Sequence, residues 1–499
     1  MFKLLKRLFT GRRAEPVALR VQPVRRSLSA RYDAAMTSDN NRRHWANADG
    51  LSANAANSPN VRRTLRNRSR YEVANNSYAR GIILTLASDC IGTGPRLQML
   101  SAEGKDAAQI EKAFATWSAA INLPEKLRTM RMAKAEDGEA FALMTDNPLV
   151  DHPVKLDLKL VEADQVATPG FGLPNAGANG SRAPKAASAV DGILLDSFGN
   201  PIEYHVLRRH PGEQGSPSIE FDRIPAESVL HYFRVDRPGQ SRGIPEITAA
   251  LPLFAMLREY SLATLDAAKA AAYFAGVLYT DSPPNGETDS VEAMDSIELE
   301  RNMLMTMPGG WKLGQIEAKQ PAATYAEFKR EILNEIARCI GMPFNIAAAN
   351  SSGFNYSSGR LDHACYFKSI RVEQSYVGSN ILDRILTAWV AEAVLVEGLL
   401  PQSMRVKSAD WSHLWFWDGH EHVDPVKEAN AQARRLENHT TTLAEEYARR
   451  GRDWEAELRQ RAKEVALMDE LGLPASKAQP VTEPVNEPDE EEETTKSEK

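Results

Sequence analysis

Cysteine is nearly missing: three in 499 residues, Cys90, Cys339 and Cys365, far apart and in apolar surroundings. An odd, scattered set with no CxxC spacing argues against a disulfide framework and a zinc ribbon, and fits synthesis in a reducing cytoplasm. Aromatic residues are also scarce, at 7% in a chain that is 42% hydrophobic. The alanine-rich remainder points to closely packed helices around a sizeable core. A membrane span needs ~20 mostly apolar residues. The best stretch, Ala249 to Tyr279, is broken by Arg258, Glu259, Asp266 and Lys269. The opening Phe2-Lys-Leu-Leu-Lys-Arg-Leu-Phe9 is a short basic amphipathic patch, too interrupted for a secretory signal. The acid-poor stretch to Arg31 has the composition of a transit peptide, which is common in unrelated chains.

Motifs of nucleotide chemistry and of the zinc proteases are missing as well. There is no GxxxxGK[ST] phosphate loop and no GxGxxG after a strand. HExxH does not occur. Two acidic groups remain as candidates for chemistry. His413, His420, Glu421, His422 and Asp424 have metal-like spacing, but spacing does not supply the supporting hydrogen bonds a metal site needs. A polar loop following Trp411, Trp415 and Trp417 accounts for them more simply. Glu136 and Asp137, before Gly138 and Glu139, form an acid pair of the kind that is usually solvated near a turn.

What the chain has is polarised charge. The net charge is −7, yet residues 1–70 hold 16 Lys/Arg against 4 Asp/Glu, and residues 474–499 hold 3 Lys against 8 Asp/Glu. Such a chain invites an electrostatic partner at each end or a second copy of itself. The basic arm suits phosphate neutralisation, docking on an acidic protein surface, or plain solvation, and charge does not choose among them.

Between the ends the pattern alternates. Apolar spacing predicts a helix over 61–87, stopped by Cys90-Ile-Gly-Thr-Gly-Pro95, and further helices over 109–120 and 131–139. Residues 154–232 read as mostly strand, with a Gly/Pro-rich surface loop over 168–184. A helix lined by small residues follows over 249–275, then a turn-rich insert over 277–323 with Pro283-Pro284 and Pro308-Gly-Gly-Trp311, then a helix over 324–340. A long helix is expected from Leu361 to Val396, extended structure from Gln402 to Trp417, and charged helices from Pro425 to Leu471. The acidic tail has too few large apolar residues to fold.

The segment from Gly341 to Arg360 lies between two of these helices. It is crowded with Gly, Asn and Ser, and from Met342 to Gly359 it carries no charged side chain, although a quarter of the whole chain is charged. A polar, neutral loop is a poor catalyst and a suitable surface for something charged to slide past.

Several pieces, in this order, resemble the lambda-type family of tailed-phage portal proteins. They are Tyr71-Glu-Val-Ala-Asn-Asn-Ser-Tyr-Ala-Arg-Gly-Ile-Ile83 with Ile91-Gly-Thr-Gly-Pro-Arg-Leu-Gln98; Asp137-Gly-Glu-Ala-Phe141; Phe233-Arg-Val-Asp-Arg-Pro-Gly-Gln-Ser-Arg-Gly-Ile-Pro245; and Asn355-Tyr-Ser-Ser-Gly-Arg360 after Ile340-Gly-Met-Pro-Phe344. The family usually has an acid shortly before Asn-Tyr-Ser-Ser and Ala where this chain has Gly359; here Asn350-Ser-Ser-Gly precedes it.

The resemblance implies an α+β portal fold. Residues 1–60 would be a basic arm and 61–244 an α/β wing. Two stem helices, 245–276 and 324–340, would flank a β-containing clip at 277–323. A tunnel loop at 341–360 would lead to a long helix and a return to the wing at 361–424, crown helices at 425–473 and a disordered acidic tail at 474–499. It implies a homo-oligomeric ring, typically a dodecamer, at one capsid vertex, and no enzyme, cofactor, metal or membrane partner. Double-stranded DNA would pass through the ring without sequence preference. The large terminase subunit would drive it in, and neck proteins and the major capsid or scaffolding protein would be further contacts. The expected DNA-facing residues are Asn350, Ser351, Ser352, Asn355, Tyr356, Ser357 and Ser358, with Arg360 behind them. Leu265, Ala268 and Ala272 would pack the ring interface, and Pro283, Pro284 and Trp311 the clip surface. Two readings stand beside this one. A DNA-processing enzyme requires a clustered acidic metal site, and a non-channel head scaffold requires particles without a central hole.

Overall fold

The computed structural model describes residues 39, 42–100, 104–169, 188–213, 220–273, 277–280, 311–314, 324–353, 355–405, 411–419, 425–448 and 450–473. The chain divides into two units, residues 1–52 and 53–499. In the first, a run of turns over 42–47 leaves Trp45 half-exposed. Most of the expected arm, the loop over 170–187, most of the 277–323 insert, and the tail lie outside the described residues.

The second unit is a mixed helical and stranded fold. After a single helical turn at Ala53–Ala56 it continues with α1 (Pro59–Asn75) and α2 (Ser77–Ile91). One continuous helix was expected here. Instead Asn76 takes extended angles, closes α1 through its N–H to Glu72 O, and caps α2 with a side chain that accepts from Tyr78 N and Ala79 N. An Asn side chain competes with the helix backbone for donors, and periodicity of apolar residues does not register that. After β1 (Arg96–Met99) come α3 (Gly104–Ala120) and α4 (Leu123–Asp137), the latter starting well before the expected Arg131.

The strands β2 (Glu139–Asp146), β3 (Leu156–Val161), β4 (Ser188–Val190), β5 (Ile193–Leu195), β6 (Pro201–Leu207), β7 (Phe221–Pro225) and β8 (Val229–Phe233) build two antiparallel sheets, ordered β3-β2-β8 and β4-β5-β6-β7. Strand alternation gives β2 two buried faces. Ala140 and Ala142 join a helical core with Trp117, Leu382 and Trp389, while Phe141 and Leu143 join a second core with Ile193, Tyr204 and Val206. The three-stranded sheet is therefore a middle layer.

Next come α5 (Leu251–Tyr273), the ribbon of β9 (Val277–Thr280) and β10 (Trp311–Gly314), and α6 (Thr324–Cys339). Helices α2, α5 and α6 share a third core through Ile82, Phe254 and Ile336. After a single turn α7 (Phe344–Ala347), helix α8 runs over Tyr356–Val377. Five π-helical residues, Gly378–Leu382, lead into α9 (Asp383–Ala393). The long helix thus starts five residues earlier than expected and is interrupted where the apolar stripe reads as continuous.

In the region expected to be extended, the described residues hold a 3-10 turn at Gln402–Met404 and one strand, β11 (His413–Phe416), paired with β1. Helices α10 (Pro425–Glu437), α11 (Leu443–Ala448) and α12 (Trp454–Glu470) complete the described chain. Among the described residues no helix is long and apolar enough to cross a membrane.

Candidate functional site

The uncharged segment is a short hump with both feet pinned. Helix α6 closes on Gly341, in the left-handed region at φ 69°, with Met342 N donating to Ala337 O. Gly adopts that geometry without penalty. Met342, Asn345 and Ala347 are buried. The Asn345 carboxamide meets His363 Nε2 at 3.0 Å, which ties α7 to the flank of α8. The chain then turns outward at Ala349, where φ is 49°, and Asn350 N returns to Asn345 O. Asn350 Oδ1 accepts from Ser352 N at 2.9 Å, and Gly353 takes φ 87°. Helix α8 begins where Asn355 Oδ1 accepts from Ser358 N at 2.8 Å, and Ser358 Oγ donates to Asn355 O.

Asn350, Ser351, Ser352, Asn355, Ser358 and Arg360 are all exposed. Tyr356 and Ser357 lie on the first turn of α8, and their side chains are outside the described set. Asn355 and Ser358, expected on the rim, are partly engaged in starting the helix. Among the described residues, Ser351 and Ser352 are the residues of the apex whose hydroxyls have no hydrogen-bond partner. Asn355→Ala should remove the cap and destabilise the start of α8 by about 1 kcal/mol. Hydrogen exchange at the amides of 357–359 reads this directly: protection should fall there and stay unchanged at 370–377.

The other candidates fare differently. Leu265 and Ala268 are exposed on α5, and Ala272 lies on the same helix with its side chain outside the described set. Pro283 and Pro284 are outside the described residues, while Trp311 opposes Thr280 in the ribbon. His413 is occupied by oxygen partners on both ring nitrogens, Trp411 O at 2.7 Å and Asp383 Oδ1 at 3.1 Å. Asp383 also accepts from Trp415 Nε1, so this histidine positions β11 against α9. The rest of its supposed metal cluster lies outside the described residues. Asp137 is largely buried and held by a two-pronged ion pair with Arg70 at 2.6 and 3.0 Å, so it is not the solvated acid expected near the turn. A group with ligand-like geometry that spacing did not reveal is Glu162, Asp164 and His210. Arg70 and Arg66 already stand against its carboxylates at 2.9–3.3 Å.

The signature around Arg242 serves the interior. Glu139 and Arg242 are 0% and 1% exposed and pair through both guanidinium and carboxylate forks at 2.6–3.0 Å. The Arg242 donors also reach the carbonyls of Val166, Asp191 and Ala163. Glu139 additionally faces His231 Nε2 at 3.1 Å and accepts from Gly243 N at 3.1 Å. Two glycines make the approach possible: a Cβ on Gly243 would fall 2.0 Å from Gly138 O, and one on Gly138 would fall 2.3 Å from Ile244 C. Gln240 shapes the preceding turn by accepting from Asp236 N and Arg237 N and donating to Arg242 O.

A second buried group fixes α8. Lys134, 2% exposed, pairs with Glu373 of α8 and lies 4.5 Å from the Tyr232 ring centre. Tyr232 also donates to Glu373, Arg131 holds Glu246 at 2.9 Å, and Gln374 donates to Cys90 O. Burial raises the Tyr232 phenol, and neighbouring Glu373 raises it further, so it stays a donor. The C-terminal half of α8 is thereby fixed, while the hump caps its free end.

The sequence profile of a family described as phage portal protein, lambda family, matches residues 39–374. A probable portal protein of Halomonas phage phiHAP-1 is 27% identical over 441 residues, covering 82% of each chain. Portal protein B of Escherichia phage lambda is 22% identical over 322 residues, and the match spans 56% of this chain and 59% of that protein. Among solved structures, a chain from the virion of a native gene transfer agent particle aligns over 86% of this chain and 95% of its own, at 12% identity and a TM-score of 0.41.

Proposed function

We propose, from the premise that this chain belongs to the lambda family of phage portal proteins, that its copies close into a ring around double-stranded DNA at one capsid vertex. The large terminase subunit drives DNA in through the ring, and ejection uses the same path. Residues 341–360 form the innermost rim, α5 and α6 the stem, and the insert between them the surface offered to terminase and then to neck proteins. The observation that carries this reading is the exposed, charge-free apex Asn350–Gly353, mounted on two pinned helices.

The physics favours such a rim. Each cation that neutralises a phosphate releases counterions, and six to ten such contacts change affinity by about three to five decades over a modest salt range. A ring repeats every contact, so even one Lys per loop would act as a brake. Neutral hydroxyls and carboxamides exchange water for phosphate at a modest net gain per hydrogen bond, and they release no counterions.

Ring closure needs a head-to-tail interface, and the small side chains of α5 let neighbouring helices crowd an axis. Native mass measurement of the purified chain should show one closed assembly, expected to be a dodecamer. Ala272→Trp should abolish it while the monomer stays folded. A wild-type chain that stays single-copy under assembly conditions, or intact rings from Ala272→Trp, would count against the reading.

A further inference from the structure

The exposed face of α8 is positive. Arg360, Lys368 and Arg371 are all exposed and make no ion pair among the described residues. They lie on one side of the helix, over about 16 Å at 1.5 Å per residue. Its acids turn elsewhere: Glu373 goes inward to Lys134, and Asp362 is half-buried. Leu361 and Val372 sit among the cations at 67% and 66% exposure. A phosphate backbone has no use for these two apolar side chains, whereas a protein surface does.

The same chain carries the complement. On α6, Glu327, Glu331 and Glu335 are exposed at four-residue steps, a stripe about 12 Å long. Glu327 and Glu335 make no ion pair among the described residues, and Glu331 has only Arg330 at 3.6 Å. Arg338 is exposed one turn beyond. The buried side of α6, with Ile332, Leu333 and Ile336, already belongs to the core, so this acidic face is free to meet something else.

We propose that the basic face of α8 docks on the acidic stripe of α6 in a second copy of this chain. The inference rests on the ring reading and adds to it the pair of surfaces that sets the register between neighbours. Complementary charge steers such contacts and penalises wrong ones. Pairing would also neutralise Arg360 at the foot of the hump, leaving the rim without a free cation. A contact between exposed charges weakens with salt, because screening acts over about 8 Å at physiological ionic strength.

Two charge-reversed full-length chains test this. One carries Arg360→Glu, Lys368→Glu and Arg371→Glu; the other carries Glu327→Lys, Glu331→Lys and Glu335→Lys. Native mass spectrometry at 0.15 M salt should show the ring fraction of each alone reduced at least about tenfold, with circular dichroism matching the wild type. An equimolar mixture of the two should recover rings of alternating composition, because each reversed α8 then meets an opposite α6. Wild-type ring yield from the α8 variant alone would overturn the proposal. So would a mixture that fails to assemble although both chains are folded. Normal rings that merely hold DNA less well would also overturn it, assigning the cations to nucleic acid instead. If the wild-type chain forms no ring, the ring reading falls before the variants are compared, so the two failures are separable.

Discussion

Arg242→Leu is expected to lower the unfolding free energy by about 3–5 kcal/mol, enough to prevent accumulation of folded protein or to leave it marginal. The loss is large because the partner stays behind. Glu139 is fully buried and, among the described residues, would be left with His231 and the Gly243 amide as its hydrogen-bond partners. Three carbonyls, those of Val166, Asp191 and Ala163, would also lose a donor. Unmade buried hydrogen bonds cost more than formed ones contribute. For this reason Glu139→Leu/Arg242→Leu should recover only part of the stability, and the coupling in that double-mutant cycle should exceed about 1 kcal/mol. Urea unfolding midpoints of the four proteins measure it. A single-variant cost within about 0.5 kcal/mol of zero would show that the pair is incidental.

The pH dependence follows from the same residues. Burial opposes the charge of Glu139, yet the Arg242 guanidinium and the hydrogen bonds from His231 and Arg242 hold its carboxyl well below the usual range. A depressed carboxyl stabilises the fold fully above its unfolded pKa of about 4.3 and loses that contribution as pH falls through the folded value. The wild type should therefore resist mild acid. In Arg242→Leu the cation is gone and burial dominates, so protonation relieves the strain. Its deficit against the wild type should narrow as pH is lowered from 7 to 5.

The second large effect concerns the hump. Under the channel reading, Ser351→Lys/Ser352→Lys places two cations per copy at the apex, where the serines are exposed and uncharged. Around a ring this exceeds the six to ten contacts that change DNA affinity by about three to five decades between low and moderate salt. Packaging in a defined system should slow at least about tenfold at low salt and recover as salt rises. Ser351→Gln/Ser352→Gln adds bulk without charge and should leave the rate within about twofold. Unchanged packaging by the lysine variant at low salt would remove the loop from the DNA path. The fold should be unaffected in either case, since neither serine side chain is buried.

Helix boundaries show where local reading succeeds. The Thr324–Cys339 helix and its Gly341 stop were legible because apolar spacing and a left-handed Gly are local signals. The break at Asn76 and the early start at Tyr356 were missed for one cause: in each case an Asn side chain captures helix N–H groups, and its residue type alone also fits a loop. The long polar connection expected over 341–360 shrank for a related reason. Pro343 starts the single turn α7, whose Asn345 and Ala347 face inward.

The signature Gln240-Ser-Arg-Gly-Ile-Pro245 was recognised as a pattern, but its purpose was not. Arginine in a loop reads as a surface cation. Here its partner lies 103 residues earlier on the middle sheet, at a point where two glycine backbones touch. Likewise the spacing of His413 left a metal site and a polar loop side by side, with the loop the simpler account, and the fold adds its two oxygen partners.

By itself, the sequence determined the helical and stranded order of the chain, its family, and the charge-free character of the hump, because each depends on neighbours along the backbone or on residue order. Only the tertiary structure decided which charges are interior, which residues of α8 are exposed, and which serines are exposed at the apex. Burying an ion requires a counter-ion at hydrogen-bond distance, and that proximity is a property of the folded chain, not of spacing along it.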